Sequence, residues 1–329
     1  MKNRIDVILP VHGPAPFLSQ AISSIFENTE YPTKLLIVKD RCKNTHLNSL
    51  IEFPPKNFQV VVLTSEVTGI VAALNLGISF SDSDFIARMD ADDVMSSSRL
   101  STQAQFLENN PRVVCVGTQL IFINEAGTRI GHTNYPTTNE EIIKRMRYQN
   151  CLAHPSVMFR RSALQSNEPY RKQFTGAEDY DLWTRLSVQG ELRNLDEKLL
   201  EYRYSSYQYT NQIKPKQNLL ENCIRVSWEI RKMNHEKPET VPKSEDVSDL
   251  KVYFEEKLEY LKKENFKSYR KIRASESLNV LLQARGSGKN SISLVPMILK
   301  SLTSSLILSP RLTGNFIVGH IKYHSILKR

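Results

Sequence analysis

The chain has 329 residues, of which 40% are hydrophobic and 24% are charged, and its formal net charge is +9. This composition predicts a folded globular protein with one large or two ordinary domains, and it excludes a low-complexity chain. The excess of basic residues favours an anionic partner, such as nucleic acid, an acidic membrane surface or a phosphorylated substrate.

Strand-like and helix-like segments alternate over the first half of the chain. Short apolar runs predict strands at residues 5–11, 34–40, 58–64 and 84–90. Apolar residues at helical spacing predict helices at residues 17–29, 69–79 and 97–110. The helix at 69–79 is expected to present Ala72, Ala73 and Leu76 on one face. Such alternation is typical of βαβ units, so we expect an α/β protein with a mostly parallel sheet flanked by helices.

The second half has a mixed pattern. Residues 113–131 predict two strands joined by a turn at Glu125–Gly127, and residues 156–161 and 198–209 predict further strands. A helix is expected at residues 178–190. We expect one catalytic domain at residues 1–213, a charged helical extension at 214–290 and an apolar, basic tail at 291–329. Within the extension, a helix over 249–272 should carry an apolar stripe at Val252, Leu258 and Leu261.

Four cysteines are present, namely Cys42, Cys115, Cys151 and Cys223. They form no CxxC pair and lack metal-site spacing with histidine, so we expect reduced thiols in a cytosolic protein. The first apolar run carries Asp6 and is stopped by Pro10, so it does not predict a signal peptide. No segment is long and apolar enough to predict a membrane span.

The stretch RMDADD places Asp90, Asp92 and Asp93 at the end of the fourth predicted strand. Ligands of open parallel sheets bind at the carboxyl ends of the strands. Because Asp40 ends the second strand, we expect both acidic sites to face one crevice. The carboxylate spacing of an EF-hand calcium loop breaks after Asp93. A solvated acidic turn remains an alternative, whereas a DxD at a strand end favours Mg²⁺ or Mn²⁺ shared with substrate phosphates.

Three other motifs have simpler alternatives. Glu178 and Asp179 begin a predicted helix, where the dipole favours anions; they are either ordinary helix-start carboxylates or a general base. The stretch ARGSGKNS is not a phosphate loop, because Gln283 and Asn290 replace required residues; we expect a linker. The aromatic, basic stretch EYRYSSYQY is ordinary strand composition, so no nucleic acid partner is expected.

The order of these segments over residues 4–205 resembles the family 2 glycosyltransferases, which have the GT-A fold. The opening DVILPVHGPAPFLSQAISSI is similar to the family's first strand and helix, and LLIVKDRCKN to its strand ending in Asp-Asp-Gly-Ser. GIVAALNLGI resembles its Gly-x-x-x-Ala-x-Asn-x-Gly helix. MDADDVMSSSRL resembles its metal motif, and AHPSVMFRR and AEDYDLWTRL resemble its later blocks.

The resemblance implies inverting transfer of a sugar from a nucleotide donor, with UDP as the expected nucleotide, to a hydroxyl of a glycan or lipid-linked glycan. It also implies Mn²⁺ or Mg²⁺ as cofactor. It assigns roles by position: Pro10 and Val11 to the nucleotide-side turn, Asp40 to the nucleobase, Asp90 to the ribose, Asp92 to the cation, Asp179 to the base, and Glu178 and His154 to the acceptor side or its support.

Four positions depart from the family pattern. Lys39 and Arg41 flank Asp40, where the family has Asp and Gly, and Leu74 stands where an Arg is common. We expect these three residues to touch the donor pocket and to affect the choice of base and sugar. Ser97 replaces a Pro.

Two alternatives compete with the glycosyltransferase hypothesis. A nucleotidyltransferase would need a Gly-rich, Arg-containing loop after the first strand, whereas this chain has PVHGPAP. A non-catalytic, carbohydrate-binding scaffold would not need both the DxD and the Glu-Asp pair.

The apolar and basic tail has no acidic residue from Ser293 to Arg329. Its helices either pack on protein or lie in a membrane interface, and Pro310 interrupts any span. An anionic membrane surface is therefore a candidate partner. The expected location is cytoplasmic and peripheral, at the cytoplasmic face of the inner membrane.

Overall fold

The computed structural model describes residues 4–42, 46–164, 168–204, 209–234, 247–270 and 272–273. Two compact units can be distinguished by their internal contacts. The sheet unit contains the described residues up to 204 except 147–149, and the helical unit contains 147–149 and the described residues from 209 onward. The predicted linker and the predicted tail at 291–329 lie outside the described residues.

The first half of the sheet unit is parallel. Strands β1 to β4 have the order β3-β2-β1-β4, and all three pairings between them are parallel. Apart from its exposed last residue, β1 is buried throughout, as expected of a central strand covered on both faces. The elements are β1 (Ile5–His12), α1 (Leu18–Phe26), β2 (Thr33–Asp40), α2 (Leu47–Leu50), β3 (Phe58–Thr64), α3 (Ile70–Ser79) and β4 (Phe85–Arg88).

The second half is mixed. Strand β8 pairs antiparallel with both β4 and β6, and β6 pairs parallel with β9. Strand β5 pairs antiparallel with β9, and β7 pairs antiparallel with β6. The elements are β5 (Val94–Met95), α4 (Arg99–Asn109), β6 (Val113–Ile123), β7 (Arg129–His132), α5 (Asn139–Met146), β8 (Met158–Arg160), α6 (Glu178–Leu186) and β9 (Glu191–Arg203). The β6–β7 turn lies where the sequence predicted it.

Helix α3 packs on β1 and β2 through a different face from the predicted one. Of the three residues predicted to share a face, Ala73 is buried, but Ala72 and Leu76 are only half-buried. Val71, Leu74 and Ile78 are also buried. Gly77 lies so close to β1 that an added Cβ would stand 2.7 Å from the Ile8 side chain. The prediction failed because nearly every residue of this helix is apolar, so its sequence carries little facial contrast.

Strand β9 also differs from its prediction. It begins at Glu191, seven residues before the predicted start at Lys198, and Tyr209 belongs to the following helix. The early part of β9 has the sequence ELRNLD, whose polar residues conceal a strand paired along β6. The prediction therefore placed both the start and the end of this strand too late in the chain.

The helical unit contains α7 (Tyr209–Asn234) and α8 (Val247–Glu264). The predicted stripe on α8 was wrong at Val252, whose exposed fraction is 59%, because position 252 lies about 180° round the helix from 261. Leu250, Phe254, Leu258 and Leu261 form the buried face at helical spacing. No helix among the described residues combines the length and the apolar character that a membrane crossing requires.

Candidate active site

The carboxyl end of β2 places Asp40 beside the start of α3. Gly69 has a φ of +118°, which favours glycine, and donates its backbone N–H to Asp40 Oδ2 at 2.9 Å. The same oxygen lies 3.2 Å from Nδ1 of His12, whose side chain is exposed at the end of β1. Asp40 is buried, and its Oδ1 has no hydrogen-bond partner among the described residues. A buried, unused acceptor is suited to an N–H group of a ligand.

Three carboxylates gather directly after β4. One oxygen each from Asp90, Asp92 and Asp93 lies within 4.8 Å of the others. Arg88, which is buried in β4, donates from Nη1 to Asp90 Oδ2 at 2.7 Å. Asp93 Oδ1 accepts the backbone N–H of Arg203 at 2.9 Å, whereas its buried Oδ2 has no partner among the described residues. The cluster therefore offers unused oxygen ligands, the type that hard divalent cations take.

Burial and mutual repulsion disfavour the ionised form of this cluster. Burial raises the pKa of Asp92 to about 6, and the negative charge of Asp90 adds to the rise. Burial likewise raises the pKa of Asp93 well above its usual value, with further contributions from Asp90 and Asp92. A cation among the three carboxylates would oppose both effects.

Arg203, at the end of β9, fixes the loop that carries these carboxylates. Its Nε donates to the backbone carbonyl of Asp92 at 2.8 Å, and its Nη1 donates to the carbonyls of Asn124 and Glu125, each at 3.2 Å. Its guanidinium also lies 4.1 Å from the ring centroid of Phe17. One planar group with five donors thus joins β9, the acidic loop and the β6–β7 turn. This role was not predicted from the sequence, which showed Arg203 as an arginine within a predicted strand.

Helix α6 begins with two acidic residues in different environments. Asp179 is half-buried; its Oδ2 accepts Nδ2 of Asn150 and its Oδ1 accepts the backbone N–H of Tyr180, each at 2.7 Å. Glu178 is buried, and its Oε2 accepts the backbone N–H of Gly176 at 2.6 Å. Burial raises the pKa of Glu178. Asp179 is therefore the more accessible carboxylate, and both the Asn150 amide and the Tyr180 N–H donate to it.

Tyr170 joins α3 to the segment that carries His154. Asn75 donates from Nδ2 to the Tyr170 carbonyl at 2.8 Å and accepts the Tyr170 backbone N–H at 3.0 Å. The Tyr170 hydroxyl lies 2.8 Å from Nε2 of His154, whose ring packs edge-on against Trp183. Burial and the charge of Arg88 hold the pKa of His154 well below its usual value, so the imidazole is neutral.

The acidic cluster and the start of α6 share one electrostatic environment. Burial has the largest effect on the pKa of Glu178, but Arg88 lowers that pKa and Asp90 raises it. The pKa of Tyr170, raised chiefly by burial, is also influenced by Arg88, Asp179 and Glu178. Such influence requires proximity. The sheet unit thus brings the end of β4 and the start of α6 together.

Two sequence expectations need correction, whereas the expectation that Arg41 touches the donor pocket stays a prediction. Pro10 and Val11 are buried within β1, so the turn starts later, at Gly13, and the two residues could meet a ligand only through their backbone. Leu74 is buried against the sheet and does not line a donor pocket. Arg41 is exposed and has a φ of +50°. The glycine that the family has there suits this left-handed conformation without strain.

A protein-family model, Glycosyl transferase family 2, matches residues 6–168. The chain is 34% identical over 205 residues to the O-antigen biosynthesis glycosyltransferase WbnJ of Escherichia coli, covering 61% of this chain and 80% of WbnJ. It is 28% identical over 192 residues to the UDP-Gal:alpha-D-GlcNAc-diphosphoundecaprenol beta-1,3-galactosyltransferase of the same species, covering 57% of this chain and 69% of that protein.

Solved structures of TarS from S. aureus share the fold. The structure of TarS 1-349 with UDP-GlcNAc superposes with a TM-score of 0.56 at 12% identity, covering 92% of this chain and 89% of that chain. In a longer TarS structure the chain covers 53% of the length. This likeness concerns the fold alone. It confirms the predicted GT-A-type α/β fold with a mostly parallel sheet, a mixed second half and a helical C-terminal region.

Proposed function

The chain belongs to glycosyltransferase family 2 and is a glycosyltransferase, and from this premise we propose that it transfers a sugar from UDP to a hydroxyl of a glycan or lipid-linked glycan in polysaccharide synthesis. The names of the Escherichia coli relatives support this substrate class. Family membership also decides against the nucleotidyltransferase and non-catalytic alternatives.

The observation that carries the proposal is the cluster of Asp90, Asp92 and Asp93 at the carboxyl end of β4. Three carboxylates in this proximity, two of them (Asp92 and Asp93) with raised pKa values and one with an unpaired buried oxygen, are costly unless a ligand completes the cluster. A cation and the diphosphate of a donor would satisfy both the charge and the oxygen.

The nucleoside is assigned to the ends of β1 and β2. Oδ1 of Asp40 is free to accept an N–H of the base, and uracil has one such group. Pro10 and Val11 would contribute backbone contacts only, since their side chains are buried. Asp90 is the candidate for the ribose. The UDP and UDP-GlcNAc bound in TarS structures support uridine as the nucleoside.

The donor set fits a divalent cation, Mn²⁺ or Mg²⁺. Asp92, supported by Asp90 and Asp93, would hold it. When bound, such a cation stabilises the negative charge that gathers on a departing diphosphate. The protein's own contribution is to hold the acidic loop in place through Arg203.

Asp179 is the proposed general base. It takes the proton of the acceptor hydroxyl as that oxygen forms its bond to the anomeric carbon. The bond from this carbon to the diphosphate breaks, and its electron pair leaves with the diphosphate oxygen. A single displacement of this kind inverts the anomeric centre. Glu178, which is next to Asp179 in α6, and His154, whose ring packs on Trp183 of the same helix, would support the acceptor.

Membrane association forms the last part of the proposal. Lipid-linked acceptors would place the protein peripherally at the cytoplasmic face of the inner membrane. The apolar, basic tail at residues 291–329 is the segment that would meet anionic lipid. We also propose the division of the chain into a catalytic domain at 1–213, a helical extension at 214–290 and this tail.

Donor hydrolysis tests the catalytic part without knowledge of the acceptor. Purified protein is incubated with a panel of UDP-sugars and Mn²⁺, and UDP release is measured. We expect slow release from at least one donor, nearly complete loss in Asp92→Asn and no change in Asp84→Asn, a matched exposed carboxylate before the same strand. Release that EDTA and Asp92→Asn leave unchanged would contradict the metal assignment.

A further inference from the structure

Asn150 lies after α5, far in sequence from the start of α6 but in contact with its acidic residue. Its Nδ2 donates to Asp179 Oδ2 at 2.7 Å, and its Oδ1 accepts the backbone N–H of Leu152 at 3.2 Å. These contacts fix the orientation of the amide, because a backbone N–H needs the oxygen and a carboxylate needs the NH₂. The side chain therefore presents a donor to Asp179 in a defined direction.

We propose that Asn150 is a positioning residue that keeps the Asp179 carboxylate ionised and oriented for proton transfer. The inference rests on the proposed role of Asp179 as the base. It extends that role by assigning a group outside α6 that prepares the base before the acceptor arrives.

The contacts of Asp179 divide its two oxygens between local and distant donors. Oδ1 accepts the N–H of the next residue, Tyr180, a contact that any residue there except proline would provide. Oδ2 accepts the amide of Asn150. Hydrogen bonds to the charged form of a carboxylate favour that form. The amide of Asn150 is therefore a donor to Asp179 that a single substitution can remove without altering α6.

The hydrogen bond between Asn150 and Asp179 also joins the proposed base to the segment that carries His154. Residues 150–156 lead into the short helical turn His154–Ser156, and Asn150 anchors the beginning of this segment to Asp179. His154 is held at its other side by the hydroxyl of Tyr170. Asn150 is only half-buried, so the fold does not depend on it for core packing. Its buried neighbours Cys151 and Leu152 supply that packing.

The test compares Asn150→Leu, which removes the donor, with Asn150→Asp, which has the same shape but adds a negative charge. Asn57 provides the matched control, since it is half-buried, donates to the Tyr31 carbonyl and lies before β3, at the opposite end of the parallel strands. Steady-state kcat is measured from pH 5 to pH 9 at saturating donor and Mn²⁺. Saturating metal keeps the titration of the acidic cluster out of the profile.

We expect the acidic limb of the Asn150→Leu profile to move upward by about one to two pH units, the shift that loss of one hydrogen bond to a charged group produces. Asn150→Asp should move the limb further, since two carboxylates in contact share a proton. It should lower kcat at pH 7 at least about tenfold, with recovery at higher pH. The Asn57 variants should keep the wild-type limb, and all variants should bind Mn²⁺ normally.

An unmoved acidic limb in Asn150→Asp, in protein with a wild-type melting temperature, would overturn the inference. A uniform loss of kcat at every pH would overturn it too, because that result indicates a purely structural role. If Asn150→Leu does not fold, the isosteric Asn150→Asp decides alone. Asp179→Asn is measured in parallel. Its wild-type turnover would refute the base itself, whereas an inactive Asp179→Asn with normal Asn150 profiles would refute only the positioning role.

Discussion

Protons and a divalent cation should compete for Asp92, so metal affinity should fall steeply in acid. Burial and the charge of Asp90 raise the pKa of Asp92 to about 6. At pH 5 about one molecule in eleven then has the ionised carboxylate, and at pH 7 about ten in eleven have it. From Asp92 alone, affinity for Mn²⁺ should therefore be about tenfold weaker at pH 5 than at pH 7.

The same shift affects stability with a defined sign. Because the folded state holds this proton more tightly than the unfolded chain, Asp92 destabilises the metal-free fold as the pH rises from about 4 to about 6. Bound metal should offset that loss. The increase in melting temperature on adding Mn²⁺ should accordingly be larger at pH 7 than at pH 5.

Titration with Mn²⁺ alone, followed by the loss of the free-ion EPR signal, measures the affinity directly. Nucleotide is omitted because terminal phosphate groups titrate near pH 6 themselves. Asp84→Asn should follow the wild-type curve, and Asp92→Asn should lose most of the affinity at every pH. An affinity that stays constant from pH 5 to pH 8, or an Asp92→Asn variant that binds Mn²⁺ as tightly as the wild type at pH 7, would refute the reasoning.

Three further predictions concern other parts of the site. Asp179→Asn should retain UDP binding and lower turnover by about 10²–10⁴-fold. Asp181→Asn should instead destabilise the fold, because the buried Asp181 carboxylate pairs with Arg171. If both variants lost turnover equally and had equal melting temperatures, this difference in their roles would be contradicted. Asp40→Asn should weaken UDP binding about tenfold or more in calorimetry. The new amide oxygen can accept the Gly69 N–H only if the NH₂ group is turned toward the N–H of the base, where two donors would face each other. Unchanged affinity would exclude Asp40 from base recognition. Arg203→Met should lower the free energy of unfolding by about 2–4 kcal/mol, because it removes the hydrogen bonds to three backbone carbonyls and a cation beside the acidic loop. In a Trp228→Phe background, Trp183 reports urea unfolding of the sheet unit, and a loss below about 1 kcal/mol would contradict the role.

The parallel half of the fold was predictable from sequence for a physical reason. Strands covered on both faces must be apolar throughout, so β1 and β2 stand out as short apolar runs. The predicted run at residues 58–64 coincides with β3. The same logic failed for β9, which has exposed residues in its middle, and for the short β5, which was not predicted.

Helix faces were harder to predict than helix positions. An amphipathic helix such as α1 shows which side is buried, and its apolar residues Leu18, Ala21, Ile22 and Ile25 are indeed buried. Helix α3 is apolar on nearly all sides, and its orientation depends on the close approach of Gly77 to β1. That approach is a tertiary contact, which periodicity alone does not encode.

Some residues of the candidate site were predictable from local sequence, and others depend on tertiary contacts. Asp90, Asp92 and Asp179 occur in local motifs at the ends of elements, so sequence alone could single them out. Asn150 and Arg203 act through contacts with residues that are distant in the chain. Neither has a local pattern that distinguishes it from a surface residue. Their roles became visible only when the fold placed them beside the two acidic sites.

The central claim is that the protein is a metal-assisted, inverting UDP-sugar transferase with Asp179 as its base. The most direct measurement is NMR of the product formed from an α-configured UDP-sugar and a lipid-linked glycan acceptor in the presence of Mn²⁺. A β-configured linkage, formed by the wild type and lost in Asp179→Asn, is the predicted result. An α-configured product, or a β-configured product formed at an undiminished rate by Asp179→Asn, would contradict the account.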